Sequence, residues 1–305
     1  MRYFFPLALV ILFLGSCESK LTEEEISQIG ITQCHKVPEY VQSKGFNPER
    51  TAYSTSDGKI NGVVLIELPR SRQDTLIKKF VDPSWTRFGN MGSVTTDDLG
   101  NAYTAPMPHV NNLSSPLSQI NRIYKIDHIT GQLAPFKELP ATDTTTGVVQ
   151  YAIMGLYFDC QGRKLYVATV AGSTRDNENG IIYEIDPETG KILDQLKGHD
   201  AMGLFVGGVT GKKLLYFGSA RNPEINSIEL TKSGDFKGKV KMEVSLDQLG
   251  PRGDDKARRI RYDQLGNLIV YGIEFNFNLT APSIKAENLY HFRYLQADEK
   301  WEYVK

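Results

Sequence analysis

The chain is short of the features that most often reveal a function. Its 305 residues include three cysteines and two tryptophans, and 35 basic residues nearly balance 36 acidic ones. Because no long basic stripe is present, nucleic acid is not expected as a partner. The sequence also lacks a Gly-x-Ser-x-Gly nucleophile elbow, a His-Glu-x-x-His metal motif and a glycine-rich phosphate loop. The commonest hydrolase, metalloprotease and nucleotide-binding signatures are therefore excluded.

The chain also lacks an apolar run of about 20 residues, the length that a transmembrane helix needs. The longest candidate follows Arg2 and extends from Tyr3 to Leu14, which is typical of an export signal. It ends in Leu14-Gly15-Ser16-Cys17, which resembles the cleavage box of bacterial lipoproteins. That resemblance implies cleavage before Cys17 and diacylglycerol on its sulfur. The alternative is an ordinary secretory peptide with an incidental cysteine.

These features divide the chain into a signal peptide (residues 1–16), a lipidated Cys17 with a polar tether (17–32) and a folded domain (33–305). The implied location is the bacterial cell envelope, with the lipid in the outer membrane and the domain periplasmic or at the surface. The acidic stretch after Cys17 resembles surface-export addresses of Bacteroidetes lipoproteins; the alternative is a solvated tether. An exported compartment permits a disulfide between Cys34 and Cys160, but nothing in the sequence brings them together. Two buried free thiols are the expected state.

The strongest pattern is a repeat of roughly 50 residues. Five times, a short apolar stretch ending in a small residue follows a tight turn, and the stretches begin at Thr51, Asn101, Leu165, Leu215 and Leu268. This period is typical of a β-propeller built from four-stranded blades. Helical periodicity is nearly absent, with one short helix predicted within Leu21 to Ile29. The predicted fold is all-β, a β-propeller with five units counted and a diverged sixth compatible with the pattern.

The first unit is the weakest of the five. Its second, third and fourth strands are predicted near residues 50–54, 62–68 and 75–80. An innermost strand would have to come from residues 33–41.

The repeat also predicts two faces that differ in loop length. Counting strands A to D outward from the axis, the short A–B and C–D turns share one face, called here the turn face. The long B–C and D–A connections share the other, the loop face, and long loops on a rigid scaffold usually carry binding residues. The candidate ligand-binding residues on it and at the tops of the inner strands are Asn90, His109, Asn111, Arg175, His199, Asp200, Arg258, Arg259, Glu274 and Asn276.

Each candidate is also compatible with a local role, because loop Asn and Asp residues often cap their own turns. The adjacent His199 and Asp200 form the best titratable pair. A Met-Gly step recurs at Met91, Met154 and Met202. It predicts either a methionine ring at the channel mouth for an apolar or soft ligand, or methionines that fill gaps between blades.

Two recurring motifs resemble a known group of propellers. Asp-x-x-Gly-Asn occurs at residues 97–101 and 263–267, and Ile-Asp-x-x-Thr-Gly at 126–131 and 185–190. Both resemble propellers of the SMP-30/gluconolactonase, NHL and YncE-like groups, over roughly residues 46 to 305. The resemblance is specific for architecture and weak for function, because one fold hosts many activities.

Within that resemblance, SMP-30 lactonases hold one axial divalent cation with a Glu, two Asn and an Asp. Two of these positions fall on Met154 and Arg258 here, and the Glu has no counterpart. A thioether and a guanidinium do not replace hard oxygen ligands. No metal site, cofactor or catalytic residue is therefore assigned.

The sequence thus favours a non-catalytic, lipid-anchored envelope propeller. Its membrane contact would be the lipid on Cys17, and its loop face would bind a protein, peptide or glycan partner. One alternative is a metal-dependent lactonase or hydrolase of SMP-30 type with an altered axial site. Another is a small-molecule sensor that uses the methionine-lined mouth. Metal dependence separates the lactonase from the others.

Overall fold

The structure is a computed structural model that describes residues 22–32, 36–56, 60–71, 77–107, 117–140, 153–275 and 286–304. Within these ranges the chain forms nineteen strands in five antiparallel sheets. The two α-helices are short, α1 (Glu23–Gln28) and α2 (Glu39–Ser43). In the described part of the chain, no helix is long and apolar enough to cross a membrane.

The five sheets follow one another along the chain and are the blades of a β-propeller, so the predicted fold class is confirmed. Blade 1 contains β1 (Thr51–Ser54), β2 (Val64–Glu67) and β3 (Lys78–Phe80). Blade 2 contains β4 (Met91–Thr96), β5 (Ala102–Pro106), β6 (Arg122–Ile126) and β7 (Leu133–Glu138). Blade 3 contains β8 (Ile153–Asp159), β9 (Lys164–Thr169), β10 (Ile181–Ile185) and β11 (Ile192–Lys197). Blade 4 contains β12 (Ala201–Val209), β13 (Lys212–Ser219), β14 (Glu224–Leu230) and β15 (Phe236–Ser245). Blade 5 contains β16 (Lys256–Tyr262), β17 (Leu268–Ile273), β18 (Asn288–Leu295) and β19 (Lys300–Val304).

Local hydrogen bonding explains why the Asp-x-x-Gly-Asn turn recurs. Oδ1 of Asp97 accepts from the backbone N–H of Leu99 and of Asn101, at 3.0 and 2.8 Å. Asp263 holds the equivalent turn of blade 5 in the same way. The glycine of this turn has a positive φ, 96° at Gly100, which L side chains rarely adopt.

Blade 1 differs from the others because it has three strands in the described residues. The expected innermost strand is wrong over residues 36–41, where Lys36 to Pro38 form no strand and Glu39 begins α2. Pro38 lacks the N–H that a sheet ladder needs, and it stands at the N-cap of the helix. Residues 33–35 lie outside the described residues. As a result, β1 borders the propeller axis.

The core is divided among the blade interfaces. One hydrophobic cluster lies between each pair of consecutive blades, with Trp85 between blades 1 and 2 and Tyr103 between blades 2 and 3. Phe217 belongs to the cluster of blades 3 and 4, and Tyr262 to that of blades 4 and 5. Each blade is therefore held by contacts with its neighbours in sequence.

Blades 5 and 1 meet differently, and their boundary is called here the seam. No cluster of this kind joins them among the residues that the structure describes. On the side of blade 5 away from blade 4, Leu289 and Val304 are about half exposed. Leu68 and Ile77 of blade 1 are equally exposed. Leu68 and Ile77 flank the C–D connection of blade 1, whereas Leu289 and Val304 lie near the loop-face ends of β18 and β19.

The N-terminal segment packs along the turn face, and its described residues 22–32 and 36–46 are called here the strap. It includes the predicted short helix, α1, which Thr22 and Glu25 close with a capping box. Ile26 and Ile29 are buried in the cluster of blades 3 and 4. The Gly208 N–H donates to the Ile29 carbonyl at 3.1 Å. The strap then reaches blade 2, where the Glu39 N–H donates to the His128 carbonyl at 3.0 Å.

Cys160 lies in the turn after β8 and is disulfide-bonded. The expectation of two free thiols is therefore wrong for Cys160. Its segment borders the same cavity as strap residues up to Thr32, so the fold brings the N-terminal region to this turn. The other cysteines, Cys17 and Cys34, lie outside the described residues.

Candidate functional site

The structure separates the candidate residues into groups. Arg175, His199 and Asp200 meet between blades 3 and 4. Arg258 and Arg259 line a cavity on the axis, whereas Asn90 and Glu274 belong to neither group. Four residues lie outside the described part of the chain, namely His109, Asn111 and Asn276 among the ligand-binding candidates, and the lipidation site Cys17.

The first group is built around a buried ion pair. Arg221 Nε lies 2.6 Å from Asp200 Oδ2, and Ser173 donates its hydroxyl to the other carboxylate oxygen. The same guanidinium donates to the carbonyls of Thr174 and Arg175, at 2.8 and 3.0 Å. Asp200 and Arg221 therefore fix the B–C loop of blade 3 to blade 4. Arg175 contributes its backbone, and its side chain is exposed.

His199 and Asp200, although adjacent, have different partners. Burial raises the pKa of the Asp200 carboxyl, which accepts hydrogen bonds from Arg221 and Ser173. Burial lowers the pKa of His199, whose ring lies 5.5 Å from that of Phe217. The imidazole is held among packed groups, and both residues support the blade interface.

Blade 5 repeats this arrangement with residues that sequence reasoning missed. Arg252 is ion-paired with the fully buried Asp255, which also accepts from Tyr290 and Asn288 at 2.7 Å each. Burial alone raises the pKa of Asp255, but the bonds from Arg252, Tyr290 and Asn288 outweigh it and hold the pKa below its usual range. Asp200 and Asp255 each stand one residue before the innermost strand of their blade. This common position was the sequence signal that could have identified Asp255.

The second group borders a cavity of about 680 Å³ on the propeller axis. Its walls come from β1, from the innermost strands of blades 2 to 5 and from the strap. The charged and hydroxyl residues other than tyrosine that line it are Lys36, Glu49, Thr51, Ser93, Thr95, Thr96, Arg258, Arg259 and Arg261.

Three arginines of β16 give one wall of this cavity a positive charge. The register shift between Ala257 and Arg259 leaves the consecutive side chains of Arg258 and Arg259 both exposed. Both guanidinium groups pair with Glu287, which lies 3.6 Å from Arg258. Arg259 also stacks 4.2 Å from the centre of the Tyr271 ring.

Arg261 completes this wall, although the sequence did not single it out. It donates to the Tyr271 hydroxyl at 3.0 Å and to the Tyr262 carbonyl at 3.4 Å. In the described residues, one carboxylate, Glu287, is paired with this row of three guanidinium groups. The wall therefore has donors and charge suited to a carboxylate or phosphate.

The remaining candidates have local surroundings. The Asn90 carbonyl accepts from the Met107 N–H at 3.0 Å. Glu274 is half-buried. The pKa of Arg252 is raised mainly by its hydrogen bond with Asp255, and the charge of Glu274 adds to this effect. Met91 and Met202 are each 2 % exposed in the hydrophobic clusters, which supports methionines as fillers between blades. The described residues contain no cluster of three or more His, Cys, Asp or Glu suited to a metal ion.

Comparison with known proteins shows a shared fold. No protein-family model matches the chain, and no curated protein matches it in sequence. A Bacteroides fragilis protein, described as a candidate 6-phosphogluconolactonase, is 12% identical, with 84% of this chain and 67% of that chain covered and a TM-score of 0.51.

Two further solved structures are similar. A Bacteroides uniformis protein of the same description is 11% identical, with 83% and 66% covered and a TM-score of 0.48. A glucose dehydrogenase is 14% identical, with 79% of both chains covered and a TM-score of 0.43.

Proposed function

We propose that this protein is a lipid-anchored propeller of the bacterial cell envelope that binds an anionic ligand in its axial cavity. The row of Arg258, Arg259 and Arg261, paired with one carboxylate, carries the proposal. Guanidinium groups bind carboxylate and phosphate through paired hydrogen bonds. An acidic glycan or acidic peptide would present this chemistry. The lipid anchor rests on the Leu-Gly-Ser-Cys box that ends at Cys17.

Binding is favoured over catalysis by the nature of these side chains. Arginine stays protonated in proteins, so it does not act as a general base. Among the sequence candidates, Asp200 and His199 could exchange protons, but they support the interface of blades 3 and 4. The cavity lining contains one carboxylate, Glu49, against three guanidinium groups, so its charge favours holding an anionic ligand.

Thermal melting tests this proposal with three probes of similar size. We expect glucuronate and glucose 6-phosphate to raise the melting temperature, and neutral glucose to leave it unchanged. The variant Arg259→Gln/Arg261→Gln should weaken binding of both anions at least tenfold, since each charge-assisted bond contributes about 1.5–3 kcal/mol. Arg293→Gln is the matched control, because Arg293 pairs with Glu302 on the outer strands. Equal shifts with glucose, or an unaffected double variant, would reject the axial site.

The alternative is a metal-dependent lactonase or hydrolase related to the SMP-30, NHL and YncE-like propellers. This alternative rests on the turn motifs. The positive charge of Arg258 argues against it, because Arg258 falls where SMP-30 lactonases have a metal ligand. Melting with EDTA and then with Ca²⁺, Mg²⁺, Mn²⁺ or Zn²⁺ separates the two functions. A metal at 100 times its Kd would stabilise the fold by about 2.7 kcal/mol. A shift of that size would favour the lactonase, and no shift is expected for the binding protein.

A further inference from the structure

Three apolar side chains project from turns of the turn face. Leu99 in the A–B turn of blade 2 is 41% exposed, Ile129 in its C–D turn 60%, and Leu265 in the A–B turn of blade 5 85%. Leu68 and Ile77, which flank the C–D connection of blade 1, are exposed on the same face. Leu193 and Met242 lie on outer strands, and Leu289 and Val304 lie near the loop-face ends of β18 and β19. In the described residues, no B–C or D–A connection contains an exposed residue of this kind.

The strap passes between these apolar turns. Ile31 packs beside Gly266, which follows Leu265, and Pro38 packs beside Gly100, which follows Leu99. At its N-terminal end, Thr22 borders the same cavity as Cys160, in the A–B turn of blade 3. The described chain therefore begins on the turn face, the same face as the three apolar residues.

Little chain separates this point from the proposed lipid. Cys17 is five residues before Thr22, so a fully extended link spans at most about 18 Å. A lipid on Cys17 would hold the turn face close to the bilayer surface. We infer that the turn face lies against the membrane, with Leu99, Ile129 and Leu265 at headgroup level and the loop face directed away from it. This inference rests on the lipid anchor of the proposed function.

The charges of the strap indicate which lipid surface fits. Glu23, Glu24 and Glu25 are exposed in the first turn of α1. Lys36 and Lys44 are also exposed, farther along the strap, so the three carboxylates are its charges nearest the proposed anchor. They disfavour anionic headgroups there, and the contact surface of this inference is a zwitterionic bilayer held by apolar contacts. Because Debye screening acts on charges, added salt should leave this contact unchanged.

Fluorescence quenching tests the orientation. The full chain, purified from bacterial membranes in its acylated form, is placed in phosphatidylcholine vesicles with brominated acyl chains. A tryptophan is introduced as Leu265→Trp or Ile129→Trp, against Met242→Trp as control, because Met242 is 54% exposed on β15. The native Trp85 and Trp301 are buried and give a constant background.

We expect the tryptophan of Leu265→Trp and Ile129→Trp to be quenched at least three-fold more than that of Met242→Trp, at low and at high salt. Equal quenching of the three variants, with an acylated intact mass, would overturn the orientation and leave the anchor in place. An intact mass without acyl groups, in protein that does not float with vesicles, would reject the anchor and the orientation together. Melting temperatures of the variants equal to that of the wild type would confirm that the variants are folded.

Discussion

The guanidinium of Arg221 and the buried carboxylate of Asp200 lie 2.6 Å apart and join blade 4 to the B–C loop of blade 3. The pair occupies the loop face, where a ligand site was expected. Its geometry is that of a support, because the arginine also donates to backbone carbonyls of that loop. Asp200, one of the candidate ligand-binding residues, therefore has its carboxylate occupied by Arg221 and Ser173.

Removing the arginine of this pair should destabilise the fold strongly. We expect Arg221→Met to lower the free energy of unfolding by about 3–5 kcal/mol, because Asp200 would remain buried without its ion partner. Urea unfolding measures the loss. Arg175→Met is the matched control, since the side chain of Arg175 is exposed, and it should cost under about 0.5 kcal/mol. Similar small losses in both variants would contradict a supporting role for Arg221.

Reduction of the disulfide of Cys160 should destabilise the fold, and the effect should depend on one specific partner cysteine. We expect Cys34 to be that partner, because Thr32 and Cys160 border one cavity. This bond would close a loop of roughly 125 residues and stabilise the fold by about 4–5 kcal/mol. Reduction should then lower the melting temperature of the wild type and of Cys17→Ser, but not of Cys34→Ser. If the melting temperature of Cys17→Ser no longer changed on reduction, the partner of Cys160 would be Cys17, and the expected pairing with Cys34 would be wrong.

A single methyl group should displace the strap. A Cβ at Gly208 would lie 1.7 Å from the Ile26 carbonyl oxygen, so Gly208→Ala is incompatible with the packed α1. We expect faster hydrogen exchange in residues 22–32, with the blades themselves unchanged. Gly92→Ala is the control, because its Cβ would meet ordinary contacts of 3.5 Å or more. Unchanged exchange in α1 of Gly208→Ala would show that the strap adjusts without leaving.

Asp235 should contribute to the acid sensitivity of blades 3 and 4. Its hydrogen bond with Ser233, followed by those with Lys164 and Thr231, lowers the pKa of its carboxyl from 3.8 to about 2. Because the folded pKa is lowered, this stabilisation is present above pH of about 4 and is lost as pH falls toward about 2. The side chain is half exposed, so we expect about 1 kcal/mol or less between wild type and Asp235→Asn at pH 6. Denaturant unfolding from pH 6 to 2.5 should show this difference shrinking; a constant difference would contradict the assignment.

The fold could be predicted from sequence because its signals are local. The turns at Asp97 and Asp263 are made by hydrogen bonds within five residues, so blades 2 and 5 carry this signature in their own sequence. That residues 36–41 form no strand could not be predicted in this way. Whether residues near Pro38 join a sheet or start a helix depends on packing against blade 2.

The candidate site was predicted less completely, since its chemistry depends on contacts between distant segments. Arg258 and Arg259 were identified as residues at the start of the inner strand, but Arg261 was not, although it follows Arg259 by two residues in regular strand register. Asp200 was recognised from the sequence as titratable. Its ion pair with Arg221, which shows that it supports the interface of blades 3 and 4, was not. The disulfide of Cys160 was missed because the strap, which passes its turn, was expected to be solvated.

Among the described residues, the strap reaches both sides of the seam, through Ile31 at blade 5 and Tyr40 at blade 1, but no apolar cluster joins these two blades directly, so their direct blade-to-blade interfaces form a linear array. When units interact only with their neighbours, the inner units are held on two sides and the end units on one. Blades 1 and 5 are the end units, because the described residues give them no shared cluster. The axial cavity is bordered by both, by Thr51 on β1 and by the arginines of β16. A ligand that touches both walls would therefore couple the two ends of the array, and its binding energy would act as the fifth interface of the ring.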